Sequence, residues 1–181
     1  MPKFKVSGLI SLSTLTVDDA PKLFRLVDGN REYLREWLPW LDNNTGVEDS
    51  TRFIESTLVQ HANGMGFQCG IFYDEVLVGM CGYHPIDRSN NSVTIGYWIA
   101  EDMTGKGIVT ICTKYLIDYA FNELSLNKVC IPAAVGNLKS RAVSERLGLF
   151  NEGVERNAEY LYGRYVDHVR YSVLRPEWQS G

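Results

Sequence analysis

The amino-acid sequence predicts one α+β domain over residues 1–181, with a mixed, mostly antiparallel central sheet and flanking helices. Three observations carry this prediction. Apolar residues recur at every second position near both ends of the chain, as they do in half-buried strands. Three strand-like runs follow one another between residues 67 and 99, and stretches with helical spacing lie on either side of them. No repeat or linker divides the chain, and its length suits one hydrophobic core.

The first third of the chain is predicted to contain one strand and three helices. Leu9–Leu15 alternates Leu and Ile with Ser and Thr, which is typical of a strand. Thr16 is the predicted N-cap of the first helix, and Pro39 stops the second. The predicted helices run from Thr16 to Val27, from Asn30 to Trp37 and from Val47 to Ala62.

An antiparallel meander is predicted in the middle of the chain. Its three strands are Phe67–Tyr73, Val76–Tyr83 and Ser92–Ile99. Only Asp74-Glu75 and the polar run Asp87–Asn91 separate them, and such short connections join antiparallel neighbours. The strands are therefore expected to pair in the order in which they occur.

The second half begins with the longest predicted helix, from Ile108 to Leu124. Its predicted apolar face consists of Ile108, Ile111, Cys112, Tyr115, Leu116, Tyr119 and Leu124. Thr113 falls on the predicted polar face. The elements predicted to follow are a strand Val129–Ala133, a helix Asn137–Leu147 closed by Gly148, and a hairpin Val154–Leu174 that turns at Gly163-Arg164.

Composition and charge argue against several classes of protein. A formal net charge of −4 disfavours a nucleic-acid binder, which usually carries a basic balance or a basic stripe. Met1–Ile10 lacks the apolar core of a signal peptide, and no later stretch has the roughly 18 apolar residues of a membrane span. A cytoplasmic location is therefore expected. Four widely spaced cysteines are predicted to be reduced core residues, with no metal site: Cys69, Cys81, Cys112 and Cys130.

Gly105-Lys106-Gly107 lies between the third meander strand and the long helix. Successive backbone N–H groups at a helix N-terminus bind anions, so this turn is a candidate phosphate site. Two closely spaced glycines are equally compatible with a plain tight turn. The segment is neither a P-loop nor a dinucleotide fingerprint, because it lacks Gly-Lys-Ser/Thr and has Thr110 where a third glycine would fall. ATP and NAD are therefore disfavoured.

Several motifs occur in order along the chain: Trp37–Trp40, Ile95–Ala100, Gly105–Ile108, Asn137–Ser140, Glu145–Gly148, Ala158–Tyr160 and Tyr165–Tyr171. Together they resemble the GCN5-related N-acetyltransferases (GNATs), and in particular the branch that acetylates the N-terminal serine or alanine of ribosomal proteins. One position departs from the family pattern, since Asp102 stands where the family commonly has Gln or Arg. This departure changes a side chain and leaves the backbone N–H groups of the loop available to phosphate.

The resemblance implies the GNAT fold, with acetyl-CoA as the acetyl donor and coenzyme A as the product. In that fold two strands part, and the pantetheine arm of the cofactor fills the slot between them. Gly96 as the site of a β-bulge, and Pro132 without an N–H, could separate the strands here or simply adjust packing. The cofactor-binding residues implied by the resemblance are Trp98, Ile99, Thr104, Gly105, Lys106, Gly107, Ile108 and Asn137.

The resemblance also implies two catalytic residues. Glu159 would accept the proton of the amine through water, and Ser140 would protonate the departing thiolate. Each has a simpler alternative, because Glu159 also fits a solvent-facing strand residue and Ser140 also fits a capped first helical turn. The three histidines of the chain are expected to be structural, with Asp167 and His168 held in reserve as a base.

The acceptor is predicted to be a protein α-amine. Its pKa is near 8, against about 10.4 for a lysine side chain, so neutralising a lysine at pH 7 costs roughly 3 kcal/mol more. The resemblance points to a ribosomal-protein N-terminus, with Trp37 and Trp40 lining the amine cleft or merely packing beneath a helix end. Two alternatives stay open: a small amine such as a polyamine or an antibiotic, and a non-catalytic acyl-CoA-binding module. No nucleic-acid or membrane partner is expected, whereas a homo-oligomer, most simply a dimer, is.

Overall fold

The computed structural model describes residues 3–179, which form an eight-stranded mixed sheet with helices on both faces. The strands are β1 (Lys3–Ser7), β2 (Ile10–Ser13), β3 (Gln68–Tyr73), β4 (Val76–Tyr83), β5 (Ser92–Ile99), β6 (Lys128–Ala134), β7 (Phe150–Leu161) and β8 (Arg164–Leu174). The α-helices are α1 (Ala20–Gly29), α2 (Arg31–Arg35), α3 (Val47–Ala62), α4 (Ile108–Asn122), α5 (Leu138–Arg146) and α6 (Arg175–Gln179). This element order confirms the predicted α+β class.

The sheet has the strand order β1-β2-β3-β4-β5-β6-β8-β7. β1 to β5 form an antiparallel meander, which confirms the pairing predicted for β3, β4 and β5. β5 and β6 are parallel neighbours because α4 crosses over between them. β8 then pairs antiparallel with β6, and β7 takes the outer edge. The sheet is therefore mixed and mostly antiparallel, as predicted.

Hydrophobic clusters lie on both faces of this sheet. Met80 and Cys81 are adjacent in β4, so their side chains point to opposite faces. Met80 packs with the first helices of the chain, through residues such as Leu23 of α1 and Ile54 of α3. Cys81 packs with α4, through residues such as Leu116. We call the first the α1–α3 face and the second the α4 face.

Most elements lie where the sequence patterns predict them, but the start of the chain differs. α3, β4 and β5 have the predicted bounds. The strand predicted at Leu9–Leu15 is present as β2, but the prediction missed β1, which forms a hairpin with β2 that turns at Gly8, with φ of +45°. β1 alternates exposed Lys3 and Lys5 with half-buried apolar residues. Its charged positions concealed the strand pattern.

Two further predictions need correction. On α4, Thr113 was placed on the polar face but is fully buried, whereas Ile111 is 37% exposed. The buried face is rotated and broadened toward residues such as Ile117, because the helix packs between the sheet and α5. The C-terminal hairpin turns one residue earlier than predicted, at Tyr162 and Gly163, whose φ values are +47° and +92°. Left-handed φ at both residues suits a two-residue hairpin turn.

The four cysteines are free thiols, three of them buried and Cys130 partly exposed. Burial raises the pKa of the Cys69 thiol to about 12, so this side chain stays protonated at neutral pH. Within residues 3–179, no group of three potential ligand side chains is placed to hold a metal ion. None of the helices in this range has both the length and the apolar character needed to cross a membrane.

Tyr83 should make the protein sensitive to alkali. Its buried hydroxyl donates to Leu116 O over 2.5 Å, and burial raises its pKa above the usual value of about 10. Because the unfolded chain then releases this proton first, the free energy of unfolding should fall as pH rises above about 10, by up to about 1.4 kcal/mol per pH unit. In Tyr83→Phe this fall should be smaller. Denaturant titrations between pH 9 and pH 11 would measure it.

The matched control is Tyr165→Phe, because Tyr165 is 64% exposed on β8. This variant should lose stability with pH as the wild type does. Tyr83→Phe starts about 1 kcal/mol less stable because a hydrogen bond is lost, so slopes and not absolute values are compared. Equal slopes for Tyr83→Phe and the wild type would contradict the assignment.

Candidate active site

A slot opens in the sheet where β5 and β6 separate. The two strands pair over three residues each, and the last pair is Thr94 with Cys130. Beyond it, β5 pairs only with β4 up to Ile99, and β6 pairs only with β8 up to Ala134. Pro132 lies on the separated part of β6, where its missing N–H removes no bond to β5. The predicted parting of two strands is therefore present.

The backbone groups of β5 that face the slot are those of Tyr97 and Ile99. The backbones of Ala100 and Thr94 are bonded toward β4, by hydrogen bonds of 2.8 and 2.9 Å. Since these groups alternate sides along a strand, those of Tyr97 and Ile99 point away from β4 and into the slot. This placement supports the prediction for Ile99 and corrects that for Trp98, whose backbone faces β4.

Gly96 contributes space instead of the predicted bulge. The register between β4 and β5 runs without a shift along all five of its residue pairs, so the bulge prediction is wrong. A Cβ atom at Gly96 would lie 2.9 Å from Nε2 of His84. The glycine therefore makes room for an imidazole near the closed end of the slot.

The turn after β5 has the geometry of an anion site. Gly105 and Gly107 have φ values of +75° and +74°, and a Cβ atom on either would meet nothing within 4 Å. Gly107 is the N-cap of α4, so the free N–H groups of the first helical turn lie beside it. Lys106 is exposed between the two glycines. Open space, unpaired N–H groups and a cation thus occur together.

Residues around this turn fix its position. The Thr104 hydroxyl donates to Glu101 O over 2.8 Å, and the Ile108 side chain is buried in the cluster on the α4 face. Arg146, at the end of α5, donates to the Thr110 hydroxyl over 2.9 Å and adds a guanidinium beside the first turn of α4. Sequence reasoning missed Arg146, because its proximity depends on the packing of α5 against α4.

Ser140 and Asn137 meet at the start of α5. Asn137 is the N-cap, and its Oδ1 accepts from Ser140 N–H over 3.1 Å. The Ser140 hydroxyl donates to Tyr97 Oη over 3.2 Å, and the Tyr97 hydroxyl donates to Ser140 O over 3.0 Å. Because Tyr97 is on β5 and α5 follows β6, this pair of hydrogen bonds joins the two sides of the slot on the α4 face.

The Tyr97 hydroxyl keeps its proton over the whole neutral range. Burial raises its pKa to about 12, although the hydrogen bond with Ser140 lowers it in part. The site thus holds two neutral hydroxyl donors next to each other. Such a pair can supply a proton to a leaving group on this side of the slot.

On the α1–α3 face the slot adjoins a cavity of about 690 Å³. Gly96, Tyr97 and Trp98 of β5 form one wall, beside Met80 of β4 and His84, which directly follows β4. The remaining walls come from α1, α3, β3 and the segment between α2 and α3. An acceptor in this cavity would therefore lie directly beside the slot.

Trp37 and Trp40 stand on opposite sides of the slot. Trp40 lines the cavity and packs on Trp98, with ring centroids 6.2 Å apart. Trp37 approaches the turn after β6, since a Cβ atom at Gly136 would lie 3.2 Å from its ring. The segment between them is held by Tyr162, whose hydroxyl donates to Leu38 O over 2.6 Å. The cavity lining thus includes Trp40 but does not include Trp37.

Glu159 lies on β7, outside the lining of the cavity. Its Oε2 is 3.3 Å from Nε2 of His168, and its side chain is 28% exposed. The two atoms are within ion-pair distance, but their angle is not that of a hydrogen bond. His168 is opposite Ala134, so the pair stands on the β6 side of the slot. No hydrogen bond joins Glu159 to Ser140. Asp167, which was held in reserve as a base with His168, accepts a hydrogen bond from Asn157 N–H through its Oδ1.

His84 is the one histidine of the chain that the structure adds to the site. Its side chain is exposed, lines the cavity, and has no hydrogen-bond partner among residues 3–179. Sequence reasoning treated it as structural because it follows a strand and precedes Pro85. Only the pairing of β4 with β5 reveals that it lies over a glycine beside the slot.

Comparisons with known proteins agree with this arrangement. The sequence matches the family described as "Acetyltransferase (GNAT) domain" over residues 10–149. It is 42% identical over 177 residues to "Putative ribosomal N-acetyltransferase YdaF" of Bacillus subtilis (strain 168), with 97% of each chain covered.

Two solved structures with ligands share the architecture. The ribosomal L7/L12 alpha-N-protein acetyltransferase RimL in complex with coenzyme A has a TM-score of 0.92 at 26% identity, and 96% of this chain and 98% of that chain are covered. The microcin C7 self immunity acetyltransferase MccE in complex with acetyl-CoA and AMP has a TM-score of 0.89 at 29% identity, with 94% of each chain covered. Both likenesses extend over almost the whole chain.

Proposed function

The chain belongs to the GNAT acetyltransferase family, and we propose that it transfers acetyl from acetyl-CoA directly to the N-terminal α-amine of a protein, in particular a ribosomal protein. One observation carries the proposal: the slot between β5 and β6 lies beside the cavity on the α1–α3 face, and the candidate anion-binding turn at Gly105–Gly107 follows β5 along the chain. The names of two relatives, which mention ribosomal proteins, support this acceptor class.

The residues along the slot fit acetyl-CoA in order. The backbone N–H groups from Gly105 to Ile108 would hold the phosphates, and those of Tyr97 and Ile99 would bond the pantetheine amides. Asn137 uses its Oδ1 to cap α5, which leaves its amide nitrogen for the cofactor. The slot closes at Thr94, so the thioester end would lie at the edge of the cavity.

The reaction moves protons at two places. The acceptor ammonium loses one proton before its nitrogen attacks the thioester carbon, and the nitrogen loses a second as the C–S bond breaks. The sulfur leaves as a thiolate and takes up one proton. We propose that Glu159, through water, accepts the proton of the ammonium and later releases it to solvent. Ser140, supported by Tyr97, gives its hydroxyl proton to the thiolate and is reprotonated by the second proton that leaves the nitrogen, through water. The position of Glu159 outside the cavity favours a water relay over direct contact.

The proposal predicts activity that depends on a free N-terminus. With acetyl-CoA, a lysine-free peptide with a free α-amine should release thiol and gain one acetyl group on its α-nitrogen, as read by mass spectrometry. The same peptide with a blocked N-terminus should do neither. If the blocked peptide extended by one lysine is acetylated as fast as the free peptide, the α-amine proposal is wrong.

A small amine is the alternative acceptor. The similarity to a self immunity acetyltransferase is the observation that favours this alternative. The assay separates the two when spermidine and an aminoglycoside are run beside the peptide. The other alternative, a module that binds acyl-CoA without transferring it, predicts no thiol release with any amine. The paired hydroxyls of Ser140 and Tyr97 argue against it.

The proposal includes a cytoplasmic location, where ribosomal proteins are made, and a homodimer. β7 supports the second part, because it is a 12-residue edge strand with Val154 and Tyr160 exposed. Unpaired strand edges of this length are surfaces for association. Light scattering on the purified protein would give the oligomeric state.

A further inference from the structure

We infer that the cavity on the α1–α3 face binds a large apolar first side chain of the acceptor, so the enzyme prefers N-termini that begin with Leu, Met or Phe. The inference rests on the proposed acetylation of protein α-amines and narrows its substrate class. It follows from the position, the lining and the charges of the cavity.

The position of the cavity makes it the place for the first side chain. Gly96, Tyr97 and Trp98 belong both to β5, which borders the slot, and to the cavity lining. In an N-terminal residue, one carbon atom separates the α-amine from its side chain. When the amine is at the slot, the first side chain therefore has to enter the adjoining cavity or turn back to solvent.

The lining favours an apolar side chain. Six residues from four different segments present apolar atoms to the space: Leu23, Val27, Leu38, Trp40, Phe53 and Met80. Phe53, on α3, is 40% exposed where it lines the cavity. A large apolar side chain would cover this surface, whereas Ser or Ala would leave most of it in contact with water.

The charges of the cavity disfavour a polycation. Asp49 is the one carboxylate among the described residues that line it. Its Oδ2 accepts from the backbone N–H groups of Thr45 and Gly46 over 2.8 and 3.1 Å, and its Oδ1 is paired with Arg52. No carboxylate in the lining is thus free to hold the additional ammonium groups of a polyamine or an aminoglycoside.

The test is a series of lysine-free peptides that differ only in their first residue, which is Ser, Ala, Leu, Met or Phe. We expect kcat/KM for Leu, Met and Phe to exceed that for Ser by roughly 10- to 100-fold, the factor given by burial of one large apolar side chain. Spermidine should be a poorer acceptor than the Leu peptide.

Two variants link the preference to this cavity. Val27→Phe enlarges a buried lining residue and should reduce the ratio of kcat/KM for Leu over Ala about tenfold, because the space is partly filled. Val59→Phe makes the same change at a 58% exposed site on α3 and should keep the wild-type ratio. If Val27→Phe does not fold, Trp40→Ala tests the same point by removing apolar surface, and should also lower the ratio.

The outcomes separate the two levels of the proposal. If all five peptides are acetylated and kcat/KM for the Ser or Ala peptide equals or exceeds that for the Leu peptide, the inference is wrong and the proposed function stands. A Leu preference that Val27→Phe and Trp40→Ala leave unchanged would also overturn it. Acetylation of spermidine with no peptide accepted would overturn the proposed function itself, and the inference with it.

Discussion

Replacing Glu159 by Gln is expected to lower kcat with a peptide acceptor on the order of 100-fold or more near neutral pH. The amide keeps the size of the side chain and can still form hydrogen bonds, but it cannot take up the proton of the ammonium. Affinity for acetyl-CoA should hardly change, because Glu159 lies on β7 and not along β5 or the phosphate turn. Values of kcat and KM for both proteins at pH 7, with one peptide, provide the measurement.

The pH dependence makes this test specific for a base. An α-amine has a pKa near 8, so at pH 9 most of the acceptor arrives neutral and the deficit of Glu159→Gln should shrink. Glu155→Gln is the matched control, because Glu155 is on the same strand and forms an exposed ion pair of 2.7 Å with Arg170. It should keep wild-type turnover. An equal deficit at pH 7 and pH 9 would exclude a role for Glu159 as the base.

His84 is the rival candidate that the structure itself supplies. It lines the cavity and covers Gly96, whereas Glu159 needs a water molecule to reach the same region. If His84→Gln shows the pH-dependent loss and Glu159→Gln does not, the base is His84 and not Glu159. Comparing the two variants is more decisive than testing either alone, since each stands on a different side of the slot.

Local patterns predicted most of the fold because strong stop signals bound them. α3 ends where Asn63-Gly64 predicts, and Gly64 has the left-handed φ of +68° that closes a helix. Periodicity could not tell which apolar residues face the core. Phe53 has the spacing of a buried residue, yet it is exposed and lines the cavity. A pattern of apolar residues marks a surface to be covered, and the cover can be a ligand.

The same distinction applies to the site, where some features depend on consecutive residues and others on the packing of distant elements. The turn at Gly105–Gly107 and the N-cap at Asn137 could be predicted, because their geometry depends on a few consecutive residues. The bond between Tyr97 and Ser140 joins residues 43 positions apart, so it depends on how α5 packs beside β5. The prediction that Trp98 bonds the cofactor through its backbone was wrong. The side of β5 to which a backbone group points depends on strand pairing, which one sequence does not reveal.

The Gly107→Val variant is expected to bind acetyl-CoA about 10- to 100-fold more weakly, the effect of losing one or two hydrogen bonds to a charged group. Gly107 has a φ of +74°, where a β-branched residue is strained, so valine should rotate the N–H groups that open α4. Calorimetric titration with acetyl-CoA would measure the loss. For the wild type, acetyl-CoA should raise the melting temperature, and ATP and NAD should not.

Strain alone could also weaken binding by destabilising the fold, and Gly64→Val controls for this effect. Gly64 has a φ of +68°, follows a helix, and has the same open space around its Cβ position, but it lies at the end of α3, away from the phosphate turn. Both variants should lose a similar amount of thermal stability, because both place valine in the left-handed region. Only Gly107→Val should lose acetyl-CoA affinity. Wild-type affinity in a folded Gly107→Val protein would mean that the phosphates are held elsewhere. An equal loss in Gly64→Val would mean that strain in the fold, and not the N–H groups after Gly107, accounts for the weaker binding.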